Sequence, residues 1–223
     1  MKVHQIAACA ILGVAASAGF AGTLATSSFD TGPQGWKAEN GAVNFQWVAA
    51  GGAPDGFIQA ADPGGRGLWF FAAPSAYLGD MLSAYGGTLS YSLTNNSSAL
   101  PIVGSFADVQ LLGSNGVLLA FGGGPLPDAW TEYSVDLIAD GSWHVGSVGG
   151  AVATAADFAG VLADLKSLRI RGDYRQRVET TGLDSVLLVS APVPEPTTAA
   201  LLLAGLAVVA QFSRRNRIAA LTV

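Results

Sequence analysis

Cysteine is almost absent from this chain of 223 residues. Its single cysteine, Cys9, lies close to the N-terminus. The rest of the chain therefore forms no internal disulfide and offers no thiolate for zinc or for nucleophilic catalysis. Its fold must depend on an apolar core, which a domain of this size can supply.

Basic residues are also scarce, and several of them lie at the chain ends. Residues 22–191 carry 7 of the 11 Lys and Arg but 15 of the 16 Asp and Glu, a formal charge of 7 − 15 = −8. This acidic balance argues against nucleic-acid binding, because neutralising phosphates requires clustered Lys and Arg. It is compatible with binding of cations or neutral sugars, and with simple solubility.

Histidine is rare too, and no catalytic set stands out. His144 is the only histidine in residues 22–191, and no Gly-x-Ser-x-Gly elbow supplies a nucleophile. A polysaccharide hydrolase or lyase would need a pair of carboxylates, and no spacing selects one. We therefore assign no catalytic residue and interpret His144 as an edge-strand or loop histidine.

The N-terminus has the pattern of an export signal. Lys2 precedes an apolar run, 6–18, which is shorter than the ~20 residues of a stable membrane span. The small-x-small pattern at 16–18, with Gly-Phe-Ala at 19–21 as a second candidate, offers a site for a signal peptidase. The pattern predicts a removable signal peptide over residues 1–21, the alternative being a buried N-terminal helix.

The C-terminus combines a proline-rich motif, an apolar run and a basic cluster. The run 197–212 is near the short limit for a transmembrane helix, and residues 199–210 carry no charge. Basic flanks favour the cytoplasmic side, so we expect the body outside and the tail 218–223 inside. The alternative is a buried helix. The motif and the cluster are Val193, Pro194, Glu195 and Pro196, then Arg214, Arg215 and Arg217.

These three parts, in this order over residues 192–217, resemble the PEP-CTERM sorting signal of Gram-negative bacteria. The resemblance implies processing near Pro-Glu-Pro by an exosortase, a transpeptidase-like membrane enzyme. It also implies a precursor anchored in the inner membrane with a periplasmic body, which then reaches the cell surface or the medium. Proteins with this signal are usually associated with exopolysaccharide and biofilm matrix.

The body, 22–191, alternates short apolar runs with glycine and proline breaks, which predicts an all-β sandwich or jelly roll. Residues 113–116 read as a hairpin turn, 154–165 as a helix with an apolar stripe, and 75–84 as a weaker helix or turn. The predicted strands are 43–48, 57–60, 68–71, 88–93, 108–112, 117–121, 131–137, 168–171 and 183–189.

A second resemblance covers nearly all of the body. Its motifs include Leu-Gly-Asp at 78–80, Tyr-Gly-Gly at 85–87, Arg-Gly-Asp-Tyr at 171–174 and Gly-Leu-Asp at 182–184. Together with earlier Gly- and Phe-containing segments, they resemble a laminin B (laminin IV type A) domain. That resemblance implies a galactose-binding-like β-sandwich of the kind found in extracellular matrix proteins.

Sugar binding would use exposed aromatic rings as stacking faces and polar side chains as hydrogen-bond partners. Trp130 and Trp143 flank polar or turn residues and are the best candidates for exposed rings. Arg169 and Arg171 alternate on one strand and belong to the only local basic cluster. The alternative for the arginines is a solvated strand that pairs with the acidic surface.

Calcium is the one metal for which the sequence suggests ligands. Asp30 and Asp184 lie near the first and last strands, and they would converge if those strands paired. Carboxylate oxygens suit calcium. The alternative is that both aspartates cap turns or bind local amides, and no cofactor is assigned.

The sequence thus predicts an exported, sorted surface protein with a non-catalytic β-sandwich. We expect it to interact with exopolysaccharide or biofilm matrix, and before processing with the membrane and an exosortase. The alternatives are a secreted polysaccharide hydrolase or lyase, and a structural protein that associates with itself.

Overall fold

A computed structural model describes residues 20–64, 67–97, 104, 106–124, 127–176, 178–192 and 206. The chain divides into two units, one formed by 21–191 and the other by the two termini. The predicted signal peptide, sorting motif and transmembrane helix lie almost entirely outside the described residues. Within the described part of the chain, no helix combines the length and apolarity that crossing a bilayer requires.

The described residues of the body form twelve strands, one α-helix and two short 3-10 turns. The turns, Ser75–Tyr77 and Leu82–Ala84, occupy the segment predicted as a weak helix or turn. The helix is α1, Ala155–Leu162. The strands are β1 Thr23–Ser27, β2 Lys37–Glu39, β3 Val43–Val48, β4 Phe57–Asp62, β5 Phe70–Ala72, β6 Thr88–Asn95, β7 Val109–Gly113, β8 Leu118–Phe121, β9 Thr131–Asp136, β10 Trp143–Val145, β11 Leu165–Arg171 and β12 Glu179–Val189.

The strands form two antiparallel sheets of six, which confirms the predicted β-sandwich. Sheet I has the order β3-β4-β12-β6-β9, with β1 paired to the C-terminal half of β12. Sheet II has the order β10-β8-β7-β11-β5-β2. The terminal strands of the body, β1 and β12, therefore lie side by side, as the calcium hypothesis requires.

Local signals account for the hairpin and the helix. β7 and β8 pair across the predicted turn, where Gly116 adopts φ 78°, a conformation that glycine reaches without Cβ strain. α1 begins after Thr154, whose hydroxyl accepts from the Asp157 N–H while the Asp157 carboxylate accepts from the Thr154 N–H. This capping box satisfies free amides at the helix start.

The helix is shorter than the predicted 154–165, because it ends at Leu162 and Leu165 begins β11.

Aromatic side chains fill the space between the sheets. Trp36 packs edge-on against Phe29 and Tyr77, with ring centroids 6.2 and 5.3 Å away. At the other end of the core, Trp143 packs against Phe158 of α1 at 5.5 Å. Such pairs each add about 0.5–1.5 kcal/mol beyond the burial of their area.

Close backbone packing at Gly87 generates the first prediction. A Cβ at this position would lie 2.0 Å from the Val189 carbonyl oxygen, a backbone atom of β12. Gly87→Ala should therefore lower the free energy of unfolding by about 1–3 kcal/mol, as overpacking does. Urea denaturation of the body would measure the change. Gly149→Ala is the matched control, because nothing lies within 4 Å of its added methyl group. Equal stability of the two variants would contradict the assigned packing.

Candidate functional site

One row of residues crosses all six strands on the outer face of sheet II. Directly opposite residues in antiparallel strands share a face, and their sequence neighbours Ile170 and Phe71 point into the core. The row therefore faces away from the core. In strand order it consists of His144, Ala120, Gln110, Arg169, Ala72 and Lys37. We call it the transverse row.

The transverse row is rich in hydrogen-bonding groups and accessible except at Ala120, which is fully buried between Gln110 and His144. Lys37 is exposed, and Gln110, Arg169 and His144 are partly exposed. Arg169 Nη2 lies 3.1 Å from Glu39 Oε2, in an ion pair whose side chains are 31% and 39% exposed. Arg169 Nε and His144 Nδ1 are buried atoms with no hydrogen-bond partner within the described residues, so neither of them faces solvent. The accessible polar groups of the row are therefore those of Lys37, Arg169 and Gln110, with part of His144 beyond the buried Ala120.

Arg171 lies two residues along β11 from Arg169, and its surroundings are different. Its side chain is almost completely buried, and its Nη1 lies 3.5 Å from Asp108 Oδ1. The guanidinium stacks over the ring of Tyr174, 4.6 Å from the centroid, a cation–π arrangement. Asp108 in turn accepts hydrogen bonds from the amides of Gly123 and Gly124. Arg171 therefore joins the strand ends of sheet II rather than presenting its charge to solvent.

The structure separates the two candidate tryptophans. Trp143 is fully buried and donates from Nε1 to the Asp136 carbonyl, 2.9 Å away, so the expectation that its ring is exposed is wrong. Its β-strand turns the ring inward against Phe121, with centroids 5.4 Å apart. Trp130 is partly exposed, which keeps it available for contact.

Trp130 immediately precedes β9 of sheet I and is not part of the transverse row. Its ring packs edge-on against Phe57, 5.3 Å between centroids, and its Nε1 donates to the Gly51 carbonyl at 2.8 Å. Phe57 alternates with the buried Ile58 and so lies on the outer face of sheet I. The structure therefore brings Arg169 and Arg171 onto one face and places Trp130 on the other sheet.

Asp30 and Asp184 are brought together, as the pairing of β1 with β12 predicted. Asp184 is fully buried; burial raises its pKa, and the neighbouring Asp30 charge adds to the rise. Its two carboxylate oxygens accept from the amides of Ala53 at 2.5 Å and Ser185 at 2.6 Å. The bond from Ala53 fixes the loop between β3 and β4 onto β12, and the bond from Ser185 is a local one within β12, as the alternative to a metal site expects.

A calcium cage would need more oxygens than this pair supplies. Calcium takes six to eight oxygen ligands, several of them from carboxylates. Among the described residues, no group of three or more His, Cys, Asp or Glu is arranged to hold a metal. Calcium at Asp30 and Asp184 therefore stays a prediction from the sequence.

A pair of buried carboxyl groups lies where the β11–β12 connection closes one end of the sandwich. Asp173 and Glu179 are hydrogen-bonded to each other, and both are almost completely buried. Burial, more than the charges nearby, raises the pKa of Asp173 to about 6 and that of Glu179 to about 7. Glu179 also accepts from Asn95 Nδ2 and from the Tyr174 amide, both at 2.7 Å. The pair thus fixes the connection that carries Tyr174 beneath Arg171.

Sequence reasoning missed most of the transverse row. Lys37 lies on a three-residue strand that no predicted run included, and Gln110 lies on a predicted strand but was given no role. Alternation along β11 was the one available signal, and it identified Arg169. The partners of Arg169 come from strands tens of residues away, so no local pattern names them.

Two family models match the chain, and both confirm the resemblances found in the sequence. The first is Laminin B (Domain IV), which matches residues 70–202. The chain belongs to the laminin B family. The second, the PEP-CTERM protein-sorting motif, matches residues 192–217. This laminin B protein therefore carries a C-terminal signal for export and sorting from a membrane-anchored precursor.

Solved structures similar to this laminin B protein have low sequence identity to it. The L4b domain of human laminin α-2 is 19% identical, with 55% of this chain and 70% of that chain covered and a TM-score of 0.45. A family 11 carbohydrate-binding module from Clostridium thermocellum is 13% identical, covering 78% and 97%, with a TM-score of 0.46. An exo-β-agarase is 12% identical, covering 76% and 25%, with a TM-score of 0.49. No curated protein matches the chain.

The buried carboxyl pair generates the second prediction. Its raised pKa values mean that the folded state binds protons more tightly than the unfolded chain, in which these groups titrate near pH 4. The stability that they contribute is therefore complete below about pH 4 and is lost as the pH rises through about 6 to 7. Thermal unfolding of the body should show the melting temperature falling over this range.

Asp173→Asn should flatten this pH dependence. The amide removes one negative charge and can donate to Glu179, which lowers the pKa of Glu179 toward its ordinary value. Asp55→Asn changes the net charge equally at an exposed position and should keep the wild-type profile. An undiminished fall in melting temperature between pH 5 and 8 in Asp173→Asn would show that the pair is not the source.

Proposed function

We propose that this protein is delivered to the cell surface by its two terminal signals and that its sandwich binds extracellular polysaccharide without catalysis. The observation that carries the proposal is the transverse row. It offers the amide, guanidinium and ammonium groups of Gln110, Arg169 and Lys37 on an accessible sheet face across four strands, and the imidazole of His144 lies beyond the buried Ala120.

The chemistry of the row suits a hydroxyl-rich ligand. Sugar hydroxyls both donate and accept hydrogen bonds, and the side chains of Gln110, His144 and Glu39 supply acceptors beside the donors of Arg169 and Lys37. Ala72 lies between Arg169 and Lys37 and, as a small and partly exposed residue, leaves a low position on the surface between these longer side chains. An extended chain of sugars laid across the strands could contact several of these groups at once.

The buried Asp173–Glu179 pair does not suit the hydrolase alternative. Glycosidases hold their two carboxyl groups about 5–10 Å apart, with the sugar between them. Asp173 and Glu179 are in direct hydrogen-bond contact and almost completely buried, which leaves no room for a glycosidic bond. Their raised pKa values are accounted for by burial at the closed end of the sandwich.

Binding to polysaccharide provides the third prediction. Residues 21–191, which contain the whole apolar core, should be retained on immobilised exopolysaccharide isolated from the producing organism. Gln110→Ala removes one hydrogen-bonding group from the row and should weaken retention about three- to ten-fold. Co-sedimentation at graded polymer concentrations, with and without calcium, would measure the affinity.

Ser134→Ala is the control, because Ser134 is an exposed polar residue on β9 of sheet I. It should bind as the wild type does. Absence of binding at every calcium level would remove the proposal. If the body then showed a mass that increased with concentration, the self-associating scaffold would replace it.

Sorting provides the fourth prediction. Glu195→Ala changes the acidic residue of the Pro-Glu-Pro motif, and deletion of 194–212 removes the predicted anchor. Both should leave the C-terminus unprocessed or misrouted. Intact mass and cell fractionation of the natural product would measure this, with Thr222→Ala in the tail as a control. An unchanged mature mass and location in the Glu195→Ala variant and in the deletion would contradict sorting by this motif.

A further inference from the structure

Charge is divided unequally between the two sheets. The strands of sheet I contain no Lys or Arg. Their five acidic residues are Asp62, Glu132, Asp136, Glu179 and Asp184. The strands of sheet II contain one acidic residue, Glu39, and four basic ones, Lys37, Lys166, Arg169 and Arg171. In a body of formal charge −8, the basic residues of the strands are thus confined to one sheet.

The transverse row is where this positive charge reaches solvent. Arg171 is buried against Asp108, and Lys166 pairs with Asp164 at 2.9 Å. Arg169 forms an ion pair with Glu39, and Lys37 makes no ion pair within the described residues. Two cations and one anion therefore remain on the accessible face, a local surplus of positive charge.

The two cations are positioned to contact one anionic group. Both are opposite Ala72, so Lys37 and Arg169 lie on the strands to either side of a small residue. Two strand spacings separate their backbones by roughly 10 Å, a gap that two long side chains can bridge. Glu39 already places a carboxylate 3.1 Å from Arg169 Nη2, so the guanidinium is oriented to bind a carboxylate at this position.

We infer that the polysaccharide bound by sheet II is anionic, with a sugar carboxylate or sulfate contacting Arg169 and Lys37 in competition with Glu39. This inference rests on the proposed polysaccharide-binding function and names the class of sugar. Nucleic acid is disfavoured as the anion, because one surplus cation on a strongly acidic body cannot neutralise a run of phosphates.

The test compares three forms of the same polymer. Exopolysaccharide from the producing organism is used native, with its carboxyl groups reduced to alcohols, and after desulfation. Residues 21–191 are titrated against each form at low and high salt. We expect loss of one anionic group to weaken binding about ten-fold or more, and we expect high salt to weaken binding of the native form. The form that loses affinity identifies whether carboxylate or sulfate is bound.

Four variants make the test specific to the row. Arg169→Gln and Lys37→Gln should each weaken binding of the native polymer several-fold. Glu39→Gln should strengthen it, because it removes the competing carboxylate. Lys166→Gln makes the same charge change on β11 outside the row and should leave binding unchanged. Melting temperatures would confirm that all four are folded.

The outcomes separate the inference from the function on which it rests. Equal affinity for the native, reduced and desulfated polymers would overturn the anionic ligand and leave polysaccharide binding intact. Failure to bind the native polymer would overturn both. Weaker binding by Glu39→Gln, or tighter binding of double-stranded DNA than of the native polymer, would overturn the anionic sugar as the ligand of this face.

Discussion

The structure depends on an aromatic core that holds two six-stranded sheets together where no disulfide can do so. Trp36, Trp69 and Trp143 are all almost fully buried, and rings from both sheets and from α1 interlock edge to face. Packing of this kind determines which side chains of each strand point into the core. Because side chains alternate along a strand, it also determines which side chains form the solvent-facing surfaces of the two sheets.

The two outer faces differ in consequence. Sheet I presents acidic and hydroxyl side chains, and part of it is covered by the β3–β4 loop that Asp184 holds in place. Sheet II presents Lys37, Arg169, Gln110 and His144 on its accessible face, supported by Arg171 and Asp108 beneath the strand ends. Sheet II is thus the polar, locally cationic surface of the sandwich, and it is the face to which we assign the proposed ligand.

The buried contacts at the closed end of the sandwich also support the strand that presents Arg169. The β11–β12 connection passes from sheet II to sheet I, carrying Tyr174 under the guanidinium of Arg171. The Asp173–Glu179 pair anchors that connection at the cost of burying two carboxyl groups, which raises the pKa of both. Arg171 aligns the end of β11, the strand that presents Arg169.

The sequence by itself determined the local features: the strands of the long alternating runs, the turn at 113–116, the capped helix after Thr154, and both family resemblances. These follow from periodicity, turn chemistry and contiguous motifs. Only the tertiary structure decided that Trp143 is buried and that Lys37, Gln110 and Arg169 share one row. Alternation in the sequence shows which residues of a strand share a face, but it does not show which strands lie beside it. Pairing between distant strands is set by packing of the whole core.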